Sequence, residues 1–396
     1  MTRSILSCPS VLYVLPHLEP GDFEQLRLER INRELALVGW TRSLGGGCQL
    51  CTLSFEEELS EEDEVATTLR FPVEHGAGKD RFSYVSSRLV RYVEEKRPDI
   101  VVFKGVGYRL ARYLVTRART PFRVAFIAAG RIRDPLLPYA DYVLAETSAQ
   151  VQFLGRYVPK DRISILPKLN LPAPLLMNHD KSYDVVNVGT FNPNKNQAAL
   201  LPLADRYRLA LVGDGECWAA VRNRSASCSC PVFMPGNLPR ERVGEVIAQS
   251  RLMVHAAKSE GLPRVVMEAF AAGVPVVASR RAMPAAFEHG VHGLLVEPEE
   301  LLDAARSLLE DSERLAAMGR AARAYAESHC SERAVFAEVQ RMYARVMEHP
   351  PRYGGRWWQR ARIIARAARM GAISRGRELA VALGIKHALK WAGMRK

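Results

Sequence analysis

The chain has 396 residues, 48% hydrophobic and 25% charged, which is enough for two globular domains with separate cores and excludes a disordered chain. Its formal charge is +13, but residues 350–396 hold twelve Lys or Arg against the single acid Glu378, so +11 belongs to a C-terminal tail and +2 to everything before it. The seven cysteines, at 8, 48, 51, 217, 228, 230 and 330, are an odd and scattered set that argues for a reducing, cytosolic compartment rather than a disulfide framework.

Residues 5–15 are apolar and follow Arg3, as in a secretory signal. Pro9 interrupts the run and no small-residue cleavage site follows, so VLYVLP reads as a first buried strand. No apolar run reaches the roughly 20 uncharged residues that span a bilayer, and a soluble or peripheral protein is expected. Further strands are expected at 100–103, 124–127, 142–145 and 163–166, then at 185–188, 209–212, 252–255, 275–278 and 294–296. Helices, for example 23–38 and 83–96, fall between them. This alternation predicts parallel sheets covered by helices. The turn-rich stretch LNLPAPLLMNHDKS separates two such series. The expected division is a first domain at 1–170, a linker at 171–183, a second domain at 184–349 and the tail at 350–396.

Three other features are given modest readings. The acidic stretch FEEELSEEDE at 55–64 is a solvated loop or helix face rather than a metal site. Gly45, Gly46 and Gly47 form a turn rather than a phosphate cradle. Cys48/Cys51 and Cys228/Cys230 differ in spacing and lack a histidine at finger distance, so no zinc site is expected.

The chemistry concentrates in SEGLPRVVMEAFAAGVPVVAS at 259–279. Pro263 opens a helix, Gly273 closes it and a buried strand follows, which puts Glu260 in a loop and Glu268 inside the helix. Eight residues is slightly more than two turns, so both carboxylates can face one cleft from different heights. A carboxylate accepts from both hydroxyls of a vicinal diol, such as a ribose or sugar ring. Exposed amides from Gly261 onward, at a helix N-terminus, suit phosphate.

Around that stretch the motifs VNVGTFNPNKN, LALVGDGE, FMPGNLPRERVGEVIAQSRLMVHAAKSEGLPRVVMEAFAAGVPVVAS and EHGVHGLLVEP occur in order. They resemble family 4 retaining glycosyltransferases over most of 95–345. The resemblance implies an α/β GT-B fold, with two doubly wound Rossmann-like domains facing a central cleft, here carrying a basic amphipathic helical tail. It implies that Glu268 holds the donor ribose and that Glu260 lies against the donor sugar and diphosphate. Gly189 and Lys195 match the family loop Gly-Arg-x-x-x-x-Lys, whose two cations hold the diphosphate. Thr190 stands where the arginine should be, and a hydroxyl does not offset the charge of a leaving diphosphate. Lys195 is then alone unless Arg264 or Arg280 substitutes. Gly213, Gly261, Leu262 and Pro263 complete the implied donor site, with Glu260 and Lys195 as its catalytic pair. The sequence departs from the family in the first domain, where AFIAAGRIRD lacks a histidine, and at Ala285, where a glutamate is common.

The reaction so implied is transfer from a UDP- or GDP-sugar to a glycan or lipid-linked saccharide, with retention and through front-face attack. No Asp-x-Asp suited to a divalent ion is found, so metal-independent transfer with no further cofactor is expected. A catalytically degenerate nucleotide or sugar binder acting as a partner subunit is the alternative, and a sugar-nucleotide epimerase a weaker one. In the tail, RWWQRARIIARAARM places Arg362, Arg366 and Arg369 on one helical face and Trp357, Ile364 and Ala368 on another. Such a helix suits an anionic membrane surface at the inner face of the cell, and no nucleic-acid fold accompanies the charge. The other reading packs its Trp and Ile residues on the catalytic domains.

Overall fold

The computed structural model describes residues 8–16, 27–54, 60–62, 67–74, 81–128, 130–166, 181–260, 263–283, 287–351, 353, 361–366 and 369. The chain divides into two compact units: Met1–Ala145 with Gln150–Ser164 and Gln340–Lys396, and Glu146–Ala149 with Ile165–Val339. The second unit therefore closes at Val339, ten residues short of the expected 349, and the chain then rejoins the first unit. The expected linker lies almost wholly outside the described residues.

The first unit holds β1 (Val11–Leu15), α1 (Arg27–Ser43), β2 (Cys48–Ser54), β3 (Ser60–Glu62), β4 (Thr67–Pro72), α2 (Ser87–Lys96), β5 (Ile100–Lys104), α3 (Arg109–Arg117), β6 (Arg123–Ile127), β7 (Tyr142–Ala145), α4 (Ser148–Leu154) and β8 (Ile163–Ile165). Its eight-stranded sheet has the order β3-β4-β2-β1-β5-β6-β7-β8. Strands β1 and β6 are buried along their whole length, because helices cover both faces of a parallel sheet and leave no solvent face for polar residues. Leu89, Val90 and Val93 of α2 and Leu110, Ala111, Leu114 and Val115 of α3 supply part of that cover.

Strands β2 and β4 were not among the expected strands. Their sequences, CQLCTLS and TTLRFP, mix polar and small residues into the apolar ones, yet Thr52, Ser54 and Thr68 are buried. Pairing supplies what hydrophobicity does not: β2 lies parallel to β1 with Val11 opposite Cys48, and β4 lies parallel to β2. Cys48 and Cys51 are thus interior strand residues, and burial pushes the Cys48 thiol up to about 12. The described part of the acidic stretch is β3, antiparallel to β4, rather than a loop or helix face.

The second unit holds β9 (Tyr183–Val188), β10 (Leu209–Val212), α5 (Trp218–Ser225), β11 (Val232–Phe233), α6 (Arg240–Ala248), β12 (Ser250–His255), α7 (Arg264–Ala271), β13 (Val276–Ser279), β14 (Gly293–Val296), α8 (Leu301–Glu310) and α9 (Ser312–His329). Its six strands are all parallel, in the order β11-β10-β9-β12-β13-β14. Two apolar clusters cover the two faces of this sheet. One has Phe191, Leu200, Leu252 and Leu308, and the other Met253, Met267, Phe270 and Ala322. Gly273 closes α7 at φ +69°, with its N–H on the Phe270 carbonyl and the Val274 N–H on the Ala269 carbonyl, so two terminal carbonyls of the helix are satisfied.

Helix α10 (Glu332–Met347) begins in the second unit and ends in the first. Its Tyr343 hydroxyl lies 2.8 Å from the Tyr13 hydroxyl on β1 and 3.1 Å from Thr41 Oγ1 on α1, whose hydroxyl donates to the Leu37 carbonyl. Both phenols are buried, and burial pushes their ionisation upward, so they act as neutral hydrogen-bond partners. Beyond α10, Arg123 Nε donates to the His349 carbonyl, and the Phe122 and Tyr353 rings stack at 6.0 Å. Residues 361–366 are helical; Ile363 joins the core of the first unit whereas Ile364 is 59% exposed. Ile363 thus packs on the first unit, while Ile364, which the sequence places on the apolar face, faces solvent. Trp357, Ala368 and residues 371–396 lie outside the described residues. Among the described residues no helix is long and apolar enough to cross a membrane.

Replacing Tyr343 by Phe leaves the Tyr13 hydroxyl buried without its partner at a cost of about 1–3 kcal/mol. Denaturant unfolding should show that loss in Tyr343→Phe and a smaller one in the double variant Tyr13→Phe/Tyr343→Phe, because the second change removes the orphaned group.

Candidate functional site

In the second sheet the strand order reverses between β9 and β12: β10 and β11 extend to one side, β13 and β14 to the other. Loops leaving neighbouring strands at such a point go to opposite faces and leave a crevice at the carboxyl edge. The β9–β12 ladder ends with Met253 opposite Val186, and beyond it the Asn187 side chain donates to the Val254 carbonyl at 2.7 Å. A side chain replaces the backbone ladder where the two strands separate.

The two loops at this reversal are joined by side chains. Asn194, in the loop after β9, donates from Nδ2 to the Ser259 carbonyl at 2.9 Å and accepts the Ser259 N–H on Oδ1 at 3.1 Å. The Lys258 N–H donates to the Asn194 carbonyl, and Lys195 Nζ forms an ion pair with Glu260 Oε1. Asn192 shapes the turn, its Oδ1 accepting the Lys195 N–H at 2.9 Å, and Asn196 takes the left-handed region at φ +56°. Gln197 Nε2 reaches back to the Gly189 and Thr190 carbonyls. Every polar residue of NPNKNQ thus has a structural task, and Lys195 is presented to Glu260 as a result.

Glycines set the distance between this loop and the one after β10. A Cβ on Gly213, at φ +127°, would collide with the Gly189 carbonyl oxygen. Gly189 N–H donates to Val212, Gly213 N–H to Gly236, and Phe191 N–H to Asp214. Gly189 and Gly213 are therefore in backbone contact, and the aliphatic stem of Lys195 lies over Gly189.

Pro263 caps α7 with extended backbone, which leaves Glu260 in the preceding loop and Glu268 one turn inside the helix. Glu268 Oε1 pairs with Arg240 Nη2, the first residue of α6, at 3.3 Å, and both side chains are partly exposed. Of the expected site residues, the structure joins Lys195 directly to Glu260 and Gly189 to Gly213, while Glu268 is joined to Arg240. Gly261 and Leu262 lie outside the described residues, as does Ala285. Thr190 is exposed, its carbonyl held by Gln197. Arg280 is committed elsewhere, donating from Nη2 to the Leu295 carbonyl at 2.6 Å.

Three residues escaped the sequence reading. Asn194 and Arg240 lie inside the motifs quoted above, but nothing in their spacing says what they touch. His255, the last residue of β12, is 1% exposed, and neither ring nitrogen has a hydrogen-bond partner. Burial pushes the imidazole down to about 4, Lys195 adds to the effect and Glu260 opposes it. A neutral imidazole thus sits at the strand reversal, beside the ion pair. Among the described residues no group of three or more His, Cys, Asp or Glu is placed to hold a metal ion.

Residues 176–325 match the family model described as glycosyl transferases group 1. The chain is 29% identical over 155 residues to sulfoquinovosyl transferase SQD2 of Arabidopsis thaliana, covering 37% of this chain and 30% of that protein. It is 32% identical over 126 residues to D-inositol 3-phosphate glycosyltransferase of Corynebacterium jeikeium (strain K411), covering 31% and 29%. The matches span about a third of the length of these curated relatives. Among solved structures, HepE of Anabaena in complex with UDP-glucose superposes with a TM-score of 0.62 at 16% identity, over 85% of this chain and 99% of that one. Sucrose-phosphate synthase from Thermosynechococcus elongatus superposes with a TM-score of 0.63 at 16% identity, over 86% and 99%. The two parallel-sheet units and these neighbours support a GT-B Rossmann-like fold, and the sequence matches support the group 1 glycosyltransferase family.

His255 carries a prediction of its own. An imidazole titrating near 6.5 when unfolded and near 4 when folded binds a proton in the unfolded chain first, so stability is lost as pH falls from about 6.5 to 4. The difference corresponds to about 3 kcal/mol. His255→Leu should lack that component, read as a smaller fall in stability across this window than in the wild-type chain.

Proposed function

We propose that this chain is a retaining, family 4 type glycosyltransferase that binds a UDP- or GDP-sugar at the carboxyl edge of its second sheet. The observation that carries the reading is the meeting of Lys195 and Glu260 at the β9/β12 reversal, with the N-terminus of α7 following. In a parallel sheet this is where a phosphorylated ligand gains both a cation and free helix amides.

Each group has a task in that reading. Glu268 accepts from the donor ribose hydroxyls, Arg240 orienting its carboxylate. Glu260 and Lys195 exchange part of their mutual pairing for contacts to the donor sugar and diphosphate. As the glycosidic bond breaks, charge gathers on the departing diphosphate, and Lys195 and the α7 amides stabilise it without a metal ion. Retention follows when the acceptor hydroxyl attacks the same face and passes its proton to the leaving phosphate, a step that asks for no side-chain nucleophile. Acceptor recognition, of a glycan or lipid-linked saccharide, falls to the first unit, at the cytosolic side of the membrane. SQD2 is named for transfer of a sulfoquinovosyl group and HepE was solved with UDP-glucose, which supports a nucleotide sugar as donor.

Thr190 favours the second reading, a binding subunit without turnover, because the side chain beside Gly189 brings no charge. Calorimetry with UDP, GDP and ADP followed by donor hydrolysis separates the two: binding with turnover supports the transferase, binding without it the partner subunit, and no binding sinks both. Glu268→Gln should weaken UDP about tenfold or more, since hydrogen bonds to a charged group contribute about 1.5–3 kcal/mol, and should erase the preference for UDP over its 2′,3′-dideoxy analogue. Thr190→Arg should tighten UDP roughly fivefold, for about 1 kcal/mol from a partly exposed cation, and leave uridine unchanged.

A further inference from the structure

The first sheet has its own strand reversal, between β1 and β5. Lys104, the last residue of β5, places Nζ 2.7 Å from Glu34 Oε2, and Arg33 pairs with the other oxygen of that carboxylate. The loop after β5 and the loop after β6 are locked together. Gly105 N–H donates to the Ile127 carbonyl, and the Ile132 side chain packs on Gly107, which has no Cβ to obstruct it. The buried Asp134 carboxylate accepts from Arg112 Nη1 at 3.2 Å and from the Leu136 and Gly107 amides.

This arrangement uses the carboxylates of Glu34 and Asp134 internally. Arg109, Arg131 and Arg133, by contrast, are exposed on the locked loops, and none has a hydrogen bond or ion pair among the described residues. Arg109 also opens α3, whose first turn has no acid, against the preference of a helix dipole for negative charge there. Local stability does not account for cations kept in this way on cross-braced loops at the carboxyl edge of a doubly wound sheet.

We propose that Arg109, Arg131 and Arg133 form a subsite for a phosphate ester carried by the acceptor, so that the sugar is transferred to an anionic molecule. The assignment rests on the glycosyltransferase reading for the word acceptor, and on the loops alone for the phosphate. A dianionic phosphate ester offers three terminal oxygens and takes guanidinium forks from several directions, whereas one carboxylate saturates with fewer. Pinning through Asp134 orients the loops before the ligand arrives, which lowers the entropic cost of binding.

The full chain, saturated with UDP, is titrated calorimetrically with glycerol 3-phosphate and with glycerol. In parallel it is sedimented with phosphatidic acid and with phosphatidylcholine vesicles. The expected result is binding of a phosphate-bearing probe over its neutral counterpart, weakened tenfold or more in Arg131→Gln/Arg133→Gln with the affinity for UDP unchanged. Binding of the free ester assigns a soluble acceptor. Binding of phosphatidic acid alone, with the same sensitivity to the double variant, assigns a lipid-linked one. Equal binding of charged and neutral probes, an unaffected double variant, or a parallel loss of UDP affinity overturns the proposal. A chain that fails to bind UDP but still discriminates the probes would overturn the donor reading and leave the anion subsite standing.

Discussion

The reversal of strand order between β9 and β12 is the constraint on which the candidate site of the second unit depends. Hydrogen bonding runs between these strands until Met253 and Val186 and then stops, because the chain on either side must leave for opposite faces of the sheet. What happens next is left to side chains. Asn187 bridges to β12, and Asn194 then closes the gap from the other loop with a two-bond contact to Ser259. Only with those loops joined do Lys195 and Glu260 meet as a pair.

The price of that geometry is visible in His255. Both its ring nitrogens are buried without partners at the end of β12, within electrostatic reach of Lys195 and Glu260. Burial and the nearby lysine keep it neutral, so it adds no second positive charge beside Lys195. On the other flank the contact of Gly213 with Gly189 excludes any side chain, and Lys195 fills the space above it with its aliphatic stem. The site is thus defined as much by what glycine and a neutral histidine leave out as by the charges present.

The two units treat charge differently. In the second, a cation and a carboxylate from loops of different strands neutralise one another, and a second such pair joins Arg240 to Glu268. In the first, the carboxylates are drawn inward to Lys104 and Arg112, and the arginines on the same loops stay in solvent. The former arrangement leaves little net charge between its partners. The latter leaves an exposed surplus of positive charge.

Strong apolar runs such as VLYVL, IVVFK and LALV were legible as strands because both their faces are buried, and the cap at Gly273 was legible because a left-handed position with a Schellman pattern asks for glycine. Glu260 and Glu268 could be placed in a loop and a helix for the same local reasons. CQLCTLS and TTLRFP were not legible, since their burial comes from neighbouring strands far away in sequence. The unit boundary moved to Val339 for a similar reason: Tyr343 belongs with Tyr13 and Thr41, some three hundred residues earlier. The sequence by itself determined the fold class, the positions of the two glutamates and the absence of a second cation at Thr190. Tertiary structure alone decided that Lys195 meets Glu260, that Arg240 pairs with Glu268 while Arg280 is held by the Leu295 carbonyl, and that His255 is buried near the first pair, because these are contacts between segments whose distance is set by strand order and not by spacing along the chain.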